Sequence, residues 1–305
     1  MNRTFFMNGK YVPEEEAKIP VTAHALHYGT GIFEGVRAYF NQVEKCFYIF
    51  RAKDHFDRMK QSSKIMFINI PYSSVELVGF VSELLKKNFT ESDMYIRPLA
   101  FKSDPAVGNF NLSTLEDSLI IYTVPMGKYL DTDNGISVNI SSWIRNSDKA
   151  LPPRGKITGG YANTCLAKTD AKLNHFDDAL QMDSNGHIVE GSSANIFMVK
   201  NNKIITPPTS DDILVGITRD TIMSLVANEL KLELVEKSID RSEIYSADEV
   251  FQVGTAAEVT PITKIDHREI SDGNIGPVTS QLKDLFAKLV RGNLPEYSEW
   301  LTKVK

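Results

Sequence analysis

What is scarce in this sequence narrows the possibilities before any motif is read. Two cysteines occur in 305 residues. Cys46 and Cys165 lie far apart with no CxxC spacing, so they are expected as free thiols in a reducing compartment, with no disulfide framework and no metal site. No apolar run reaches membrane-spanning length. An apolar start at Phe5-Phe6-Met7 is cut by Asn8-Gly9 before a signal-peptide core can form, which leads to the expectation of a cytoplasmic protein without a membrane partner. Positive charge is not in excess: the formal net charge is −5, and no run of like charges forms a tail. A nucleic-acid footprint, which needs a basic stripe, is therefore not expected. Internal repeats and low-complexity segments are missing too.

What is present is ordinary globular material, 42% hydrophobic and 24% charged, enough for a core that needs no staples. At roughly 150 residues per domain the chain suits about two domains. The stretch Gly127-Lys128-Tyr129-Leu130-Asp131-Thr132-Asp133-Asn134-Gly135 is polar, bounded by glycines and without periodicity. It is read as an interdomain linker over 127–135, between a smaller N-terminal domain over 1–126 and a larger C-terminal domain over 136–305. Both helical and strand patterns occur along the chain, and an α/β (α+β) fold class is expected.

Asn8-Gly9 between apolar runs predicts a hairpin. Strands are expected over 36–40, 46–50, 94–99, 119–124, 136–140, 179–182, 187–190 and 195–199, with turns at Asn185-Gly186 and Asn201-Asn202. Helices are expected over 51–66, with Phe56, Met59 and Met66 on one stripe and the Arg58 head beside it, and through Val75, Val78, Val81 and Leu85. Further helices are expected over 161–174, from Gly216 through Ile222, Leu225, Val226 and Leu230, and over 278–291. The glycine-rich run from His24 to Arg37 is not a dinucleotide fingerprint. Gly29, Gly31 and Gly35 are spaced one residue too long, and the run precedes its strand. It reads as a tight aromatic turn, either beside a small-molecule site or packed on the core.

Several stretches carry chemistry. In Pro152-Pro153-Arg154-Gly155-Lys156-Ile157-Thr158-Gly159-Gly160-Tyr161, a stiff proline approach and flanking glycines surround one lysine. Lys156 is either a surface loop lysine or one aimed to form a Schiff base with pyridoxal phosphate. In Met94-Tyr95-Ile96-Arg97-Pro98-Leu99, strand alternation puts Tyr95, Arg97 and Leu99 on one face. That face is either a carboxylate grip or part of an edge strand with a surface ion pair, the edge being hinted at by Pro98. Glu190 falls at a strand end beside Gly191-Ser192-Ser193. The helix start at Gly216-Ile217-Thr218 and the turn Gly254-Thr255-Ala256-Ala257 offer backbone N–H groups to an anion.

In order and over nearly the whole chain, these stretches resemble the branched-chain amino-acid aminotransferases, within the fold-type IV pyridoxal-phosphate enzymes. The residues that carry the resemblance are His24-Ala25-Leu26-His27-Tyr28-Gly29, Phe33-Glu34-Gly35-Val36-Arg37, Tyr95-Ile96-Arg97-Pro98, Lys156 through Tyr161, Glu190-Gly191, Gly216-Ile217-Thr218-Arg219-Asp220 and Gly254-Thr255-Ala256-Ala257-Glu258. The resemblance implies a two-domain fold with pyridoxal 5'-phosphate between the domains. It implies transamination of the branched-chain L-amino acids Leu, Ile and Val with 2-oxoglutarate, in a homodimer or higher homo-oligomer. Lys156 would be the Schiff-base lysine and proton shuttle, Tyr161 the partner of the ring hydroxylate, and Glu190 the carboxylate that keeps the pyridine nitrogen protonated. Arg58, Ile217, Thr218 and Thr255 would form the phosphate cup. Thr255, Ala256 and Ala257 with Tyr95 would receive the substrate α-carboxylate, and Tyr28, Phe33, Arg97, Met126 and Tyr129 would wall the side-chain pocket.

Two departures stand out. Met126 occupies a place where many members of the family carry tryptophan. Asp104-Pro105-Ala106-Val107-Gly108 replaces a more glycine-rich loop that, in the family, reaches in from the partner subunit. Aromatic amino acids are therefore expected to be handled differently here, because methionine fills gaps less rigidly than a ring. Same-fold rivals are a D-amino-acid aminotransferase, an amine transaminase and an aminodeoxychorismate lyase. A rival of another class is a non-catalytic anion- or nucleotide-binding module.

Overall fold

A computed structural model describes residues 3–127 and 133–305. Most of the expected linker, and Tyr129 with it, lies outside the described residues. The chain divides into two compact units. The first holds the described residues up to Gly127, with Gly155–Gly159 and Leu289–Lys305. The second holds those up to Arg154 and Gly160–Lys288. The units are thus not the two continuous segments expected from the sequence. Strand pairing is the reason: Leu301–Val304 lies antiparallel on Cys46–Phe50, and Ile157 bridges to Ile32. Both segments take their hydrogen-bond partners from the first unit.

That unit is built on an eight-stranded sheet, ordered Leu301–Val304, Cys46–Phe50, Val36–Asn41, Met94–Lys102, Asp117–Pro125, Thr4–Met7, Lys10–Pro13, with Gly31–Phe33 also on Met94–Lys102. The expected hairpin is present: Met7 pairs with Lys10, and both turn residues, Asn8 at φ 47° and Gly9 at φ 89°, take the left-handed conformation that a tight hairpin needs. The edge-strand expectation for Pro98 is corrected, because Met94–Lys102 lies inside the sheet. Proline is tolerated there for a local reason. Val36–Asn41 pairs with 94–96 and Gly31–Phe33 with 99–101, so Pro98 faces the break between them, where its carbonyl accepts from Glu34 N–H at 2.9 Å.

Two helices accompany this sheet. Ala52–Ile65 buries Phe56 and Met59, with Met66 only half-buried beyond its end. Ser74–Lys87 starts on a capping box in which Ser73 and Glu76 satisfy each other's backbone donors. Its buried face is Leu77, Val81, Leu84 and Leu85, while Val75 is 69% exposed. The stripe is therefore displaced at its N-terminal end from the one expected. The set beginning at Leu77 keeps helical spacing to the end of the helix and needs no residue from the capped first turn.

The second unit is a ten-stranded mixed sheet, ordered Glu233–Glu236, Lys203–Thr206, Asn195–Lys200, Glu249–Gly254, Glu258–Ile265, Ile136–Ile140, Asp178–Met182, His187–Gly191, Ile239–Asp240, with Arg268–Glu269 on Glu258–Ile265. An added pairing, Glu190 opposite Asn195, joins His187–Gly191 to Asn195–Lys200 and closes six of these strands on themselves. Ile136, Val138, Leu180, Ile196, Met198, Val250 and Ile262 fill the core of this unit. The expected helices appear as Tyr161–Leu173, Ile217–Leu225 and Pro277–Val290, the second running on as a π-helical turn over Val226–Leu230.

Candidate active site

In the first unit, Lys156 is held by its backbone on both sides. Its N–H donates to Ser62 Oγ at 3.1 Å, and its carbonyl accepts from Phe33 N–H at 3.0 Å. Ile157, next in the chain, is buried and bridged to Ile32. The half-buried lysine stem therefore starts from a fixed point, and Nζ lies 5.0 Å from the centroid of the Phe33 ring, within cation–π range. The surface-loop alternative does not describe a residue held in this way.

Phe33 also receives Arg97, whose guanidinium carbon stands 4.5 Å from the ring centroid. Arg97 Nη2 donates to the Tyr95 hydroxyl at 2.8 Å, as the shared strand face predicts. Arg97 Nε is buried and has no hydrogen-bond partner among the described residues, so a charge-assisted donor remains available for an acceptor. Gly35 makes this arrangement possible: a Cβ there would collide with the Tyr95 hydroxyl. Tyr28 is partly exposed, accepts from Gly108 N–H at 3.2 Å and sets its ring edge-on against Phe110 at 5.2 Å. Met126 is half-buried, and its carbonyl accepts from the buried Arg37 Nη2 at 3.1 Å.

Arg58 is buried with its head inward, as the helix stripe suggests, but its best-defined partner is one that sequence reasoning missed. Nε donates to Glu34 Oε1 and Nη2 to Glu34 Oε2, both at 2.8 Å. His55 Nδ1 lies 2.8 Å from the same Oε2. Burial alone would raise the Glu34 carboxyl. The Arg58 charge and the hydrogen bonds from Arg58 and His55 outweigh burial and hold it well below the usual carboxylate range. Burial pushes the His55 imidazole down despite the Glu34 charge beside it. The sequence held Glu34 only within the stretch Phe33-Glu34-Gly35-Val36-Arg37 that carries the resemblance; its charge inside the apolar run Ile32-Phe33-Glu34-Gly35-Val36 is the signal that could have found its role.

In the second unit, Glu190 is buried where the sheet closes. Its Oε1 accepts from Asn195 Nδ2 and from Leu214 N–H, each at 2.9 Å, and its Oε2 stands 2.8 Å from Arg145 Nε. Arg145 and Asn195 gave no signal in the sequence, because their segments meet Glu190 only through the fold. Tyr161 opens the helix Tyr161–Leu173. Gly216 is the N-cap of the helix Ile217–Leu225 and supplies no capping side chain, so the helix start is built of backbone, with Thr218 buried behind it. Only glycine fits at 216, since a Cβ would run into Asn195 Oδ1. Thr255, Ala256 and Ala257 form the half-buried tip between Glu249–Gly254 and Glu258–Ile265, with Gly254 paired to Glu258.

The family model for amino-transferase class IV matches residues 31–265. The chain belongs to that family. It is 46% identical over 299 residues, 98% of its length and 96% of the other's, to a probable branched-chain-amino-acid aminotransferase of Aquifex aeolicus. Among solved structures, the branched-chain aminotransferase of the thermophilic archaeon Thermoproteus uzoniensis with norvaline matches at a TM-score of 0.95 and 40% identity, covering 100% of both chains. The branched-chain amino acid aminotransferase of Thermobaculum terrenum, in its PLP-form, matches at 0.93 and 36% identity over 100% of this chain and 99% of the other. The fold is thus that of the fold-type IV aminotransferases. Among the described residues no helix is long and apolar enough to cross a membrane.

Proposed function

We propose that this protein moves amino groups between the branched-chain L-amino acids Leu, Ile and Val and 2-oxoglutarate, with pyridoxal 5'-phosphate linked to Lys156. The observation that carries this reading is the lysine itself, held at both backbone groups with its amine beside Phe33, in a chain of the class IV family. The donor set suits the group. It includes a single held amine, a buried carboxylate fixed by Arg145, Asn195 and Leu214, and a helix start with no capping side chain.

When bound, the cofactor supplies an aldehyde for the covalent link and a ring that accepts the electrons left when the substrate Cα–H breaks. Lys156 would hold the cofactor and, through its amine, would carry the proton taken from the substrate Cα. General acid–base help of this sort is typically worth about a hundred- to ten-thousand-fold. Glu190 would supply the anionic partner of the ring nitrogen, and Tyr161 that of the ring hydroxylate. Arg58 of the first unit, and the backbone at Ile217 and Thr218 with Thr255 of the second, would be the groups that hold the phosphate. Tyr95 and the Thr255-Ala256-Ala257 tip would be those that take the α-carboxylate. Phe33, Tyr28 and Met126 would provide an apolar wall, and Arg97, whose buried Nε has no hydrogen-bond partner among the described residues, would receive the γ-carboxylate of glutamate in the second half-reaction.

The protein works in the cytoplasm as at least a homodimer. Exposed Val21, Leu26, Val107 and Phe110 around Tyr28 support a covered face there. Glutamate formation from L-leucine and 2-oxoglutarate tests the reading. Activity with D-alanine but not L-leucine would favour a D-specific enzyme, and pyruvate release from aminodeoxychorismate would favour a lyase. With Met126 in the wall, the ratio of kcat/KM for leucine over phenylalanine should differ from that of tryptophan-bearing relatives; an equal ratio contradicts the role given to Met126.

A further inference from the structure

We propose that Glu34 is the positioning residue of Arg58, a carboxylate that sets the plane of the guanidinium so that its remaining edge meets the cofactor phosphate. The inference rests on the reading of Arg58 as a phosphate ligand and goes beyond it. A guanidinium carries three nitrogens in one plane. Two of them, Nε and Nη2, each donate to a separate oxygen of Glu34 at 2.8 Å. A two-pronged pair of this kind fixes direction as well as distance, so the direction of Nη1 follows from that of the carboxylate.

Glu34 is itself immobilised. It is fully buried, its backbone N–H donates to the Pro98 carbonyl, and its Oε2 also meets His55 Nδ1 at 2.8 Å. His55 and Arg58 lie three residues apart on the helix Ala52–Ile65, so one helix face brings both donors to one carboxylate. A carboxylate next to an anion-binding arginine opposes the anion by its charge. Its presence in full burial is explained if orientation outweighs that opposition.

The test is the preference of the apoenzyme for pyridoxal 5'-phosphate over dephosphorylated pyridoxal, measured as two dissociation constants in wild type, Glu34→Gln, Glu34→Asp and Arg58→Lys. Glutamine offers one acceptor where two are needed, and aspartate keeps the charge but is too short to reach both nitrogens. Both Glu34 variants are expected to lower the preference roughly ten- to a hundredfold while pyridoxal binding stays within about twofold of wild type. Equal loss for both ligands would make Glu34 a support of the fold and overturn the inference, as would failure of both Glu34 variants to fold. Tighter phosphate binding in Glu34→Gln would show that charge opposition dominates and would also overturn it. If Arg58→Lys lowers the preference and the Glu34 variants do not, only the positioning role fails. If Arg58→Lys leaves it unchanged, the phosphate reading of Arg58 fails first.

Discussion

Two buried glutamates, one in each unit, are used in opposite ways. Glu34 gives its oxygens to His55 and Arg58, both from a single helix. Glu190 takes its partners from three separate segments: Arg145, Asn195 on the closing strand, and the backbone of Leu214. The first carboxylate is a means of aiming a helix side chain. The second is itself aimed, because the sheet closure fixes it in place. Similar burial and an arginine partner therefore do not define a role; what differs is which group is held by which.

If that contrast is right, loss of charge at the two positions must fail in different ways. Glu190→Gln should show the largest effect, a fall in kcat of about a hundredfold or more with folding retained, because in the role proposed for Glu190 an amide could not hold the ring nitrogen in its charged form. A loss below tenfold would erase the distinction. Glu34→Gln, besides lowering the preference for the phosphorylated cofactor, should cost stability without preventing folding. Breaking a buried charge pair costs about 3–5 kcal/mol, read from urea unfolding of the apoprotein, and a change under about 1 kcal/mol would mean that the pair is not what holds this corner together.

The smallest effect is on pH. His55 is held below its ordinary value near 6.5 in the folded protein. Its contribution to stability is then complete above that pH and lost as pH falls below it, with a slope of at most about 1.4 kcal/mol per pH unit. Glu34 is depressed from an ordinary value near 4.5, so its contribution is complete above that pH and is lost only as the solution becomes more acid still. Melting curves between pH 7.5 and 5.5 should therefore fall more steeply for wild type than for His55→Gln; parallel curves would rule out His55 as the group responsible.

Much of the local structure was legible in the residues. The hairpin at Asn8-Gly9, the strand over 46–50, the helix over 161–174 and the strand face shared by Tyr95 and Arg97 all follow from turn chemistry and periodicity. These signals act over a few residues. The misread parts depend on long-range partners. Pro98 hinted at an edge because the break between Gly31–Phe33 and Val36–Asn41 that accommodates it is a property of neighbouring strands. Leu301–Val304 pairs with a strand some 250 residues earlier, which no periodicity announces. Likewise the donors that hold Glu190 and the pairing of Glu34 with His55 and Arg58 were invisible, although the helix stripe had singled out the Arg58 head, whereas Lys156 stood out through the glycines and prolines beside it.

Every other proposed role depends on the proposed covalent link to Lys156. Borohydride reduction of the yellow holoprotein, followed by proteolysis and peptide mass measurement, reads it out. The expected result is bleaching with a phosphopyridoxyl mass on the peptide that contains Lys156, and no label in Lys156→Ala. Label on a different lysine, or a Lys156→Ala variant that still takes it, would contradict the assignment.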